Sequence, residues 1–441
     1  MKFVFILTFF LLFQHCSFDD KSGIWKSENK IIKKTNDQDS GFEKLTTTQE
    51  KFNKIIPFKQ NIKIAISEPK TNSNWSDIFF EKSNNYINFK YKDINKLTYK
   101  SKKLSKFDLR KYTLINENNV ITSDKKGNLI IYSLNENQIL TKFNFYKKRF
   151  KKINKVLNFI VENDIIYISD NLGYLYSYNY KKNQILWAKN HKIPFRSNLK
   201  ISENRIIAAN QNNDLLFFNK LNGDIIKLIP TEETIIKNKF INNLSVNEDS
   251  ILFLNTYGSL YSIEKKTLRI AWFLNLNKSL DLNPNNLFSG NEIISYKDEI
   301  AVSTNDTTYF LNKDSGNIIF KKNFSSKVKP LIDKNYFFTI TQNNLIICMN
   351  LLNGEIIYSY NIYKKTKDYF KNKNKKIEFN MFAIANNKLF IILNSSNILK
   401  FNLNGNLENI TKLPAKTKSL PVFFNESILF LDRKGQITIV N

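Results

Sequence analysis

The 441-residue sequence predicts an all-β fold: an eight-bladed β-propeller of four-stranded antiparallel blades, closed by pairing of N- and C-terminal strands. Three observations carry this expectation. A hairpin-like unit recurs along the chain at a mean spacing of about 44 residues, the period of a four-stranded blade. Each copy follows a β-branched run and a polar turn, the grammar of antiparallel hairpins. The last copy, ITIVN at 437–441, stops one strand short, so the ring must borrow a strand from elsewhere.

The chain opens with Met1-Lys2 and an apolar run of 11 residues, FVFILTFFLLF, ahead of Cys16. At about 1.5 Å per residue such a run is too short to cross a bilayer as a helix, and it fits the apolar core of a secretory signal over residues 1–15. Cys16 directly after this run resembles the lipidated first residue of a bacterial lipoprotein, and Ser17 behind it resembles the outer-membrane sorting pattern. Residues 16–93 are assigned to a lipid tether and N-terminal extension. The first part, to about residue 50, is polar and mixed in charge. PFKQNIKIAIS at 57–67 is strand-like but has no evident destination.

Residues 94–441 are assigned to the propeller. INKLTYKSKKL at 94–104 is expected to supply the missing outer strand, since an open last blade would leave an unpaired edge. The repeated units start at 131, 175, 215, 260, 308, 346, 398 and 437. LYSYNYKKNQILW at 175–187 aligns without a gap to LYSIEKKTLRIAW at 260–272, and the same frame fits LLFFNKLNGDIIK, TYFLNKDSGNIIF and IICMNLLNGEIIY. Asn recurs at the fifth position (Asn179, Asn219, Asn312, Asn350, Asn402, Asn441), where its side chain can bond the backbone two residues on. Gly223, Gly316 and Gly354 fall at the ninth, where a positive φ is expected. Trp187 and Trp272, with Phe320 and Tyr358 at the same place, are expected to wedge between neighbouring blades.

Composition narrows the function. Lys and Arg total 67 against 39 Asp and Glu, a net charge of +28. Only six of the cations are Arg, whereas base-edge recognition favours Arg's planar fork. The Lys excess accompanies abundant Asn, Ile and Phe, as AT-rich codons produce, and no nucleic-acid partner is expected. Two Lys-rich runs, 147–155 and 363–376, read as solvated loops. Two Cys exclude a disulfide framework or a cysteine-rich zinc module, and Cys348, in the apolar run LIICM, reads as a buried small hydrophobe. His191, the single imidazole beyond the signal, reads as exposed. No histidine triad, histidine-rich metal site or phosphate-loop motif is present, and no catalytic, cofactor or metal residue is assigned.

GYLYSYNYKKNQILW at 173–187 resembles the quinoprotein-like propeller repeat, whose pattern reads roughly G-x-L-Y-A-L-D-x-x-T-G-x-x-x-W. With the lipoprotein-like signal, the eight units resemble the BamB-type family of outer-membrane β-barrel assembly lipoproteins. Trp75 followed by Asn84 and Asn85 is similar to the segment preceding that family's first blade. The resemblance implies a non-catalytic scaffold without a cofactor, lipid-anchored at the periplasmic face of the outer membrane. Its implied partners are the periplasmic domains of the barrel-inserting protein and other assembly lipoproteins. The family's contact turn is resembled by IPFRSN at 193–198, which implies partner-binding roles for Phe195 and Arg196; an acidic element of a later loop is resembled at Asp281 in LDLNP. Two alternatives use the same fold: a quinone-dependent (PQQ) dehydrogenase, whose adjacent cysteines beneath the cofactor this chain lacks, and a propeller binding polyanions or cell-wall polymer through its Lys-rich loops.

Overall fold

The computed structural model describes residues 51–147, 150, 152–234, 239–277, 288–370 and 377–441. The signal residues 1–15, Cys16 and Asp281 lie outside them. Among the described residues the strands form eight sheets, each built on an antiparallel four-stranded blade, and blades 1 to 7 run from an inner to an outer strand in chain order. Blade 1 comprises Leu114–Asn116, Asn119–Ser123, Asn128–Ser133 and Gln138–Asn144. The innermost strands of blades 2 to 8 are Leu157–Glu162, Lys200–Ser202, Asn243–Val246, Ile294–Tyr296, Leu331–Asp333, Phe379–Ala385 and Val422–Phe424.

The ring closes as the truncated last repeat requires. Leu97–Lys100 pairs antiparallel with Ile437–Val440, matching Leu97 to Val440 and Lys100 to Thr438, and becomes the outer strand of blade 8. The predicted strand 94–104 therefore joins the two ends of the ring in one sheet.

Adjacent blades are held by the aromatic residues at the end of each repeat. Trp187 of blade 2 donates from Nε1 to the Lys220 carbonyl at 2.9 Å and lies over the turn at Gly223 in blade 3. Trp272 repeats this contact with Lys313 at 3.0 Å, over Gly316 in blade 5. At both turns φ is near +70°, and a Cβ would fall 2.5 Å from an indole carbon, so glycine is required twice over. The repeated Asn shapes the same turns: Asn219 and Asn312 accept from the backbone N–H two residues on, at 2.8 and 3.0 Å.

A second turn signal lies between the middle strands. Asp124, Asp170 and Asp432 each accept two backbone N–H groups, from two and four residues on, at 2.8 to 3.2 Å. These carboxylates close the turn as an Asx motif, which the backbone would otherwise leave unsatisfied.

Three sequence expectations change. Lys155, at the end of the first Lys-rich run, is buried rather than solvated: its ammonium lies 5.1 Å from the centre of the Tyr146 ring and donates to the Phe150 carbonyl. The second run begins not as a loop but in a short helix, Ile362–Thr366, which Asn361 caps by accepting from the Lys364 N–H at 3.1 Å. His191 is half-buried, because its backbone N–H bonds the Gly173 carbonyl at 2.8 Å and draws the ring to 4.7 Å from that of Phe218. Cys348 is a fully buried free thiol, as its apolar run suggests.

Candidate functional site

The hub of a propeller is lined by eight short inner strands, each with one edge unpaired within its own blade. Here the chain supplies the partner itself. Residues 72–92 pass every inner strand in ring order. Asn72 bonds the Phe423 carbonyl of blade 8, and Trp75 pairs with Ile115 of blade 1 through two backbone hydrogen bonds of 2.7 and 3.0 Å. Ser76 accepts from Val161 of blade 2, Lys82 from Val246 of blade 4 and Ser83 from Ser295 of blade 5. Asn85 bonds both backbone groups of Ile332 in blade 6. Asn88–Phe89 adds a parallel strand to blade 7, and Lys92 returns to Glu426 of blade 8.

The same segment fills the axis with side chains. Trp75, Phe80, Tyr86 and Phe89 are buried and pack ring on ring at centroid distances of 4.7 to 5.9 Å, and Phe89 stacks on Phe423 of blade 8 at 4.7 Å. Blade 3 contributes Lys200, whose ammonium is fully buried and donates to Asp77 Oδ2 at 2.7 Å, Asn84 Oδ1 at 2.6 Å and the Glu81 carbonyl at 2.7 Å. Burial pushes the Lys200 ammonium below its ordinary pKa, against the pull of Asp77. Three acceptors match its three protons, which is what a buried ammonium needs.

Asn84 spans two blades, donating to Leu244 and Ile293 at 2.9 Å each. Lys329, entering from blade 6, donates to the carbonyls of Asn84 and Phe79 at 2.7 and 3.0 Å and lies 3.1 Å from the Tyr86 ring centre. Phe80 sits at φ +92°, a conformation bulky residues avoid, where the segment turns from blade 2 towards blades 3 and 4.

The turn at 193–198 lies where the chain enters the inner strand of blade 3. Phe195 is buried, its ring against Phe218 and His191, and its backbone bridges Asn210. Arg196 is half-buried; its guanidinium donates to the Phe240 carbonyl at 2.9 Å and its carbonyl accepts from Asn242. Asn198 exchanges hydrogen bonds of 2.8 and 2.9 Å with Leu244. The turn therefore ties blade 3 to blade 4, with Lys192 exposed and Ile193 and Pro194 partly so. Asp281 cannot be placed against it.

The resemblance singles out Trp75, Asn84 and Asn85, but the hub they help to build escapes the sequence reading because partners lie about 120 to 250 positions away, as for Asp77 with Lys200 and Asn85 with Ile332. The available signal is the density of large apolar residues in Trp75, Ile78, Phe79, Phe80, Tyr86 and Phe89, too high for a solvated tether.

A closed ring of eight blades with the aromatic-and-glycine repeat defines a propeller of the quinoprotein-like class. Within that class, the family described as outer membrane protein assembly factor BamB matches residues 125–360, more than half of the chain, and this protein belongs to that family. No curated protein sequence matches it. Among solved structures, BamB from Moraxella catarrhalis superposes with a TM-score of 0.62 at 9% identity, covering 78% of this chain and 99% of that one. A europium-containing methanol dehydrogenase superposes at 0.59 with 10% identity, covering 83% and 89%. A quinohemoprotein alcohol dehydrogenase from Pseudomonas putida gives 0.59 with 8% identity, covering 84% and 80%. At such identities the structural likenesses show the fold alone.

Proposed function

We propose that this protein is a non-catalytic scaffold lipoprotein of outer-membrane β-barrel assembly, anchored through Cys16 at the periplasmic face. It would hold periplasmic domains of the barrel-inserting protein and other assembly lipoproteins. The observation that carries the reading, beside family membership, is the filled hub. The axis is packed with the chain's own Trp75, Phe80, Tyr86 and Phe89, and its polar groups there bond one another. A ring consolidated in this way has its loops and blade edges left for partners, which suits a scaffold better than an enzyme built around an axial prosthetic group.

In this reading the turn 193–198 is part of the partner surface. Phe195 anchors it from within, Arg196 fixes its link to blade 4, and Lys192, Ile193 and Pro194 present it; Asp281 enters as a partner-binding residue through the family resemblance alone. The test is crosslinking in intact cells followed by copurification. Wild type is expected to recover the barrel-inserting protein, and Lys192→Glu and Arg196→Glu, checked for unchanged melting, to recover less. Recovery of no assembly component by wild type would overturn the scaffold reading, and equal recovery by both variants the assignment of the turn. Binding that follows cell-wall polymer and vanishes with salt would instead favour the polyanion alternative.

A further inference from the structure

Blade 6 shows what the rim of this ring accepts. Its outer strand, Ile356–Asn361, is covered by the chain's own residues 52–58. Ile56 pairs antiparallel with Ser359 through backbone hydrogen bonds of 3.1 and 2.9 Å, the Ser359 hydroxyl bonds the Lys54 carbonyl, and Phe58 packs edge-on against Tyr358. The covered residues are buried: Ile357 is 4% exposed. In blade 5 the repeat-equivalent residue, Ile319, is 43% exposed, and the outer strand Ile318–Lys322 ends its sheet with no strand beyond it among the described residues.

Beside that free edge lies a cleft of about 530 Å³, between blade 5 and the segment lying on blade 6. Lys51, Lys54, Lys321 and Lys322 line it with Phe52 and Phe324, and no carboxylate among the described residues does. None of the four lysines takes part in an ion pair among the described residues, whereas Lys59 nearby is paired with Glu355. Four ammonium groups without an ion pair among the described residues, around an aromatic floor, form a focus of positive potential.

We propose that the outer edge of blade 5 is a docking site for an acidic, extended segment of a partner protein, which adds to the sheet as a fifth strand. Main-chain hydrogen bonds to Ile318–Lys322 would supply affinity, Ile318 and Ile319 the apolar contact, and the four lysines selection for carboxylates. Five residues at about 3.3 Å each fit a partner strand of five or six residues. A phosphate headgroup would satisfy the lysines but would use neither the sheet edge nor the isoleucines, and the coincidence of all three favours a peptide. The occupant is a protein because the site is read within the scaffold function, yet its test needs no assembly component.

The test uses the purified protein and a fluorescent ten-residue peptide alternating Val or Tyr with Glu. Fluorescence anisotropy is expected to show binding at least about tenfold tighter than for the same peptide with Lys in place of Glu. Lys321→Glu combined with Lys322→Glu should remove that preference, with melting unchanged. Hydrogen exchange with the peptide bound should slow at the amides of 318–322. Unchanged binding by the double variant, or slowed exchange only elsewhere, would overturn the proposal. So would absence of peptide binding alongside binding to phosphatidylglycerol vesicles that the double variant loses, which would make the cleft a headgroup site. Either failure leaves the crosslinking result, and with it the scaffold reading, standing or falling separately.

Discussion

Asp77 and Lys200 meet at 2.7 Å with both side chains almost wholly out of solvent, so each neutralises a charge that the hub cannot solvate. Removing one partner of such a pair costs more than replacing both with apolar groups, because the survivor stays buried and unpaired. Asp77→Ala is therefore expected to lower stability by about 3–5 kcal/mol in denaturant titration, and Asp77→Leu with Lys200→Met by less than the sum of the single changes. His191 offers a second test. Burial against Phe218 and the nearby Lys189 hold its pKa below the ordinary 6.5. As pH falls through 6.5 the unfolded chain binds the proton first, so the native state loses stability between 6.5 and the lowered folded value, and the contribution is complete above 6.5. Titration of the His191 ring signals by NMR should give a midpoint under 6.5, and His191→Gln should flatten the melting-temperature slope in that window. A midpoint above 6.5 would refute the packing argument. Sequence placed His191 in a polar loop but had no way to see Phe218 beneath it, and a motif resemblance at Phe195 carries no information on burial.

At the scale of the element, the unit of this fold is an outer-strand aromatic laid over the next blade's turn. Trp272 over Gly316 shows why the two positions are coupled: the turn needs φ of +71°, and a side chain there would enter the indole. Gly316→Ala is expected to cost about 1–2 kcal/mol from the backbone alone, with a further penalty from the ring contact. Adding Trp272→Ala should relieve that further penalty, so the double variant will be more stable than additivity allows; strict additivity in thermal melts would show that the ring and the turn do not interact. These elements were legible because the information is local and repeated. The fifth-position Asn, the turn glycines and the terminal aromatics each recur at fixed offsets, and the closing strand followed from a count that ended one strand short. The Asp turns between middle strands were equally local, at Asp124, Asp170 and Asp432, but they precede the frame by which the repeat is recognised, and the carboxylate that shapes the turn was missed.

The whole molecule depends on a contact that no repeat encodes. Residues 72–92 pass around the blades from blade 8 back to blade 8, without periodicity, so their path is visible only when eight inner strands are already in place. Their hydrogen bonds add links between neighbouring blades at the axis, as Asn84 does for blades 4 and 5, and the segment acts as an internal hoop. A ring without it would expose inner-strand amides and an apolar axis to water, at a cost set by unsatisfied backbone groups and by loss of the buried aromatic side chains of Trp75, Phe79, Phe80, Tyr86, Phe89 and Tyr91. Replacing residues 72–92 with a Gly-Ser linker of equal length, while keeping the closing strand 97–100, separates the hoop from the closure. The prediction is a lower melting temperature with the β-sheet circular dichroism signal retained. Hydrogen exchange should lose protection first at Ile115, Val161, Val246, Ser295 and Asn386, whose N–H groups bond this segment directly. Amides of the middle strands, such as those of Ser250–Leu254, are held within their own blades and should follow only with global unfolding. If these five amides stayed as protected in the linker variant as in the native chain, the hoop would be a passenger in the hub rather than the element that unites the blades.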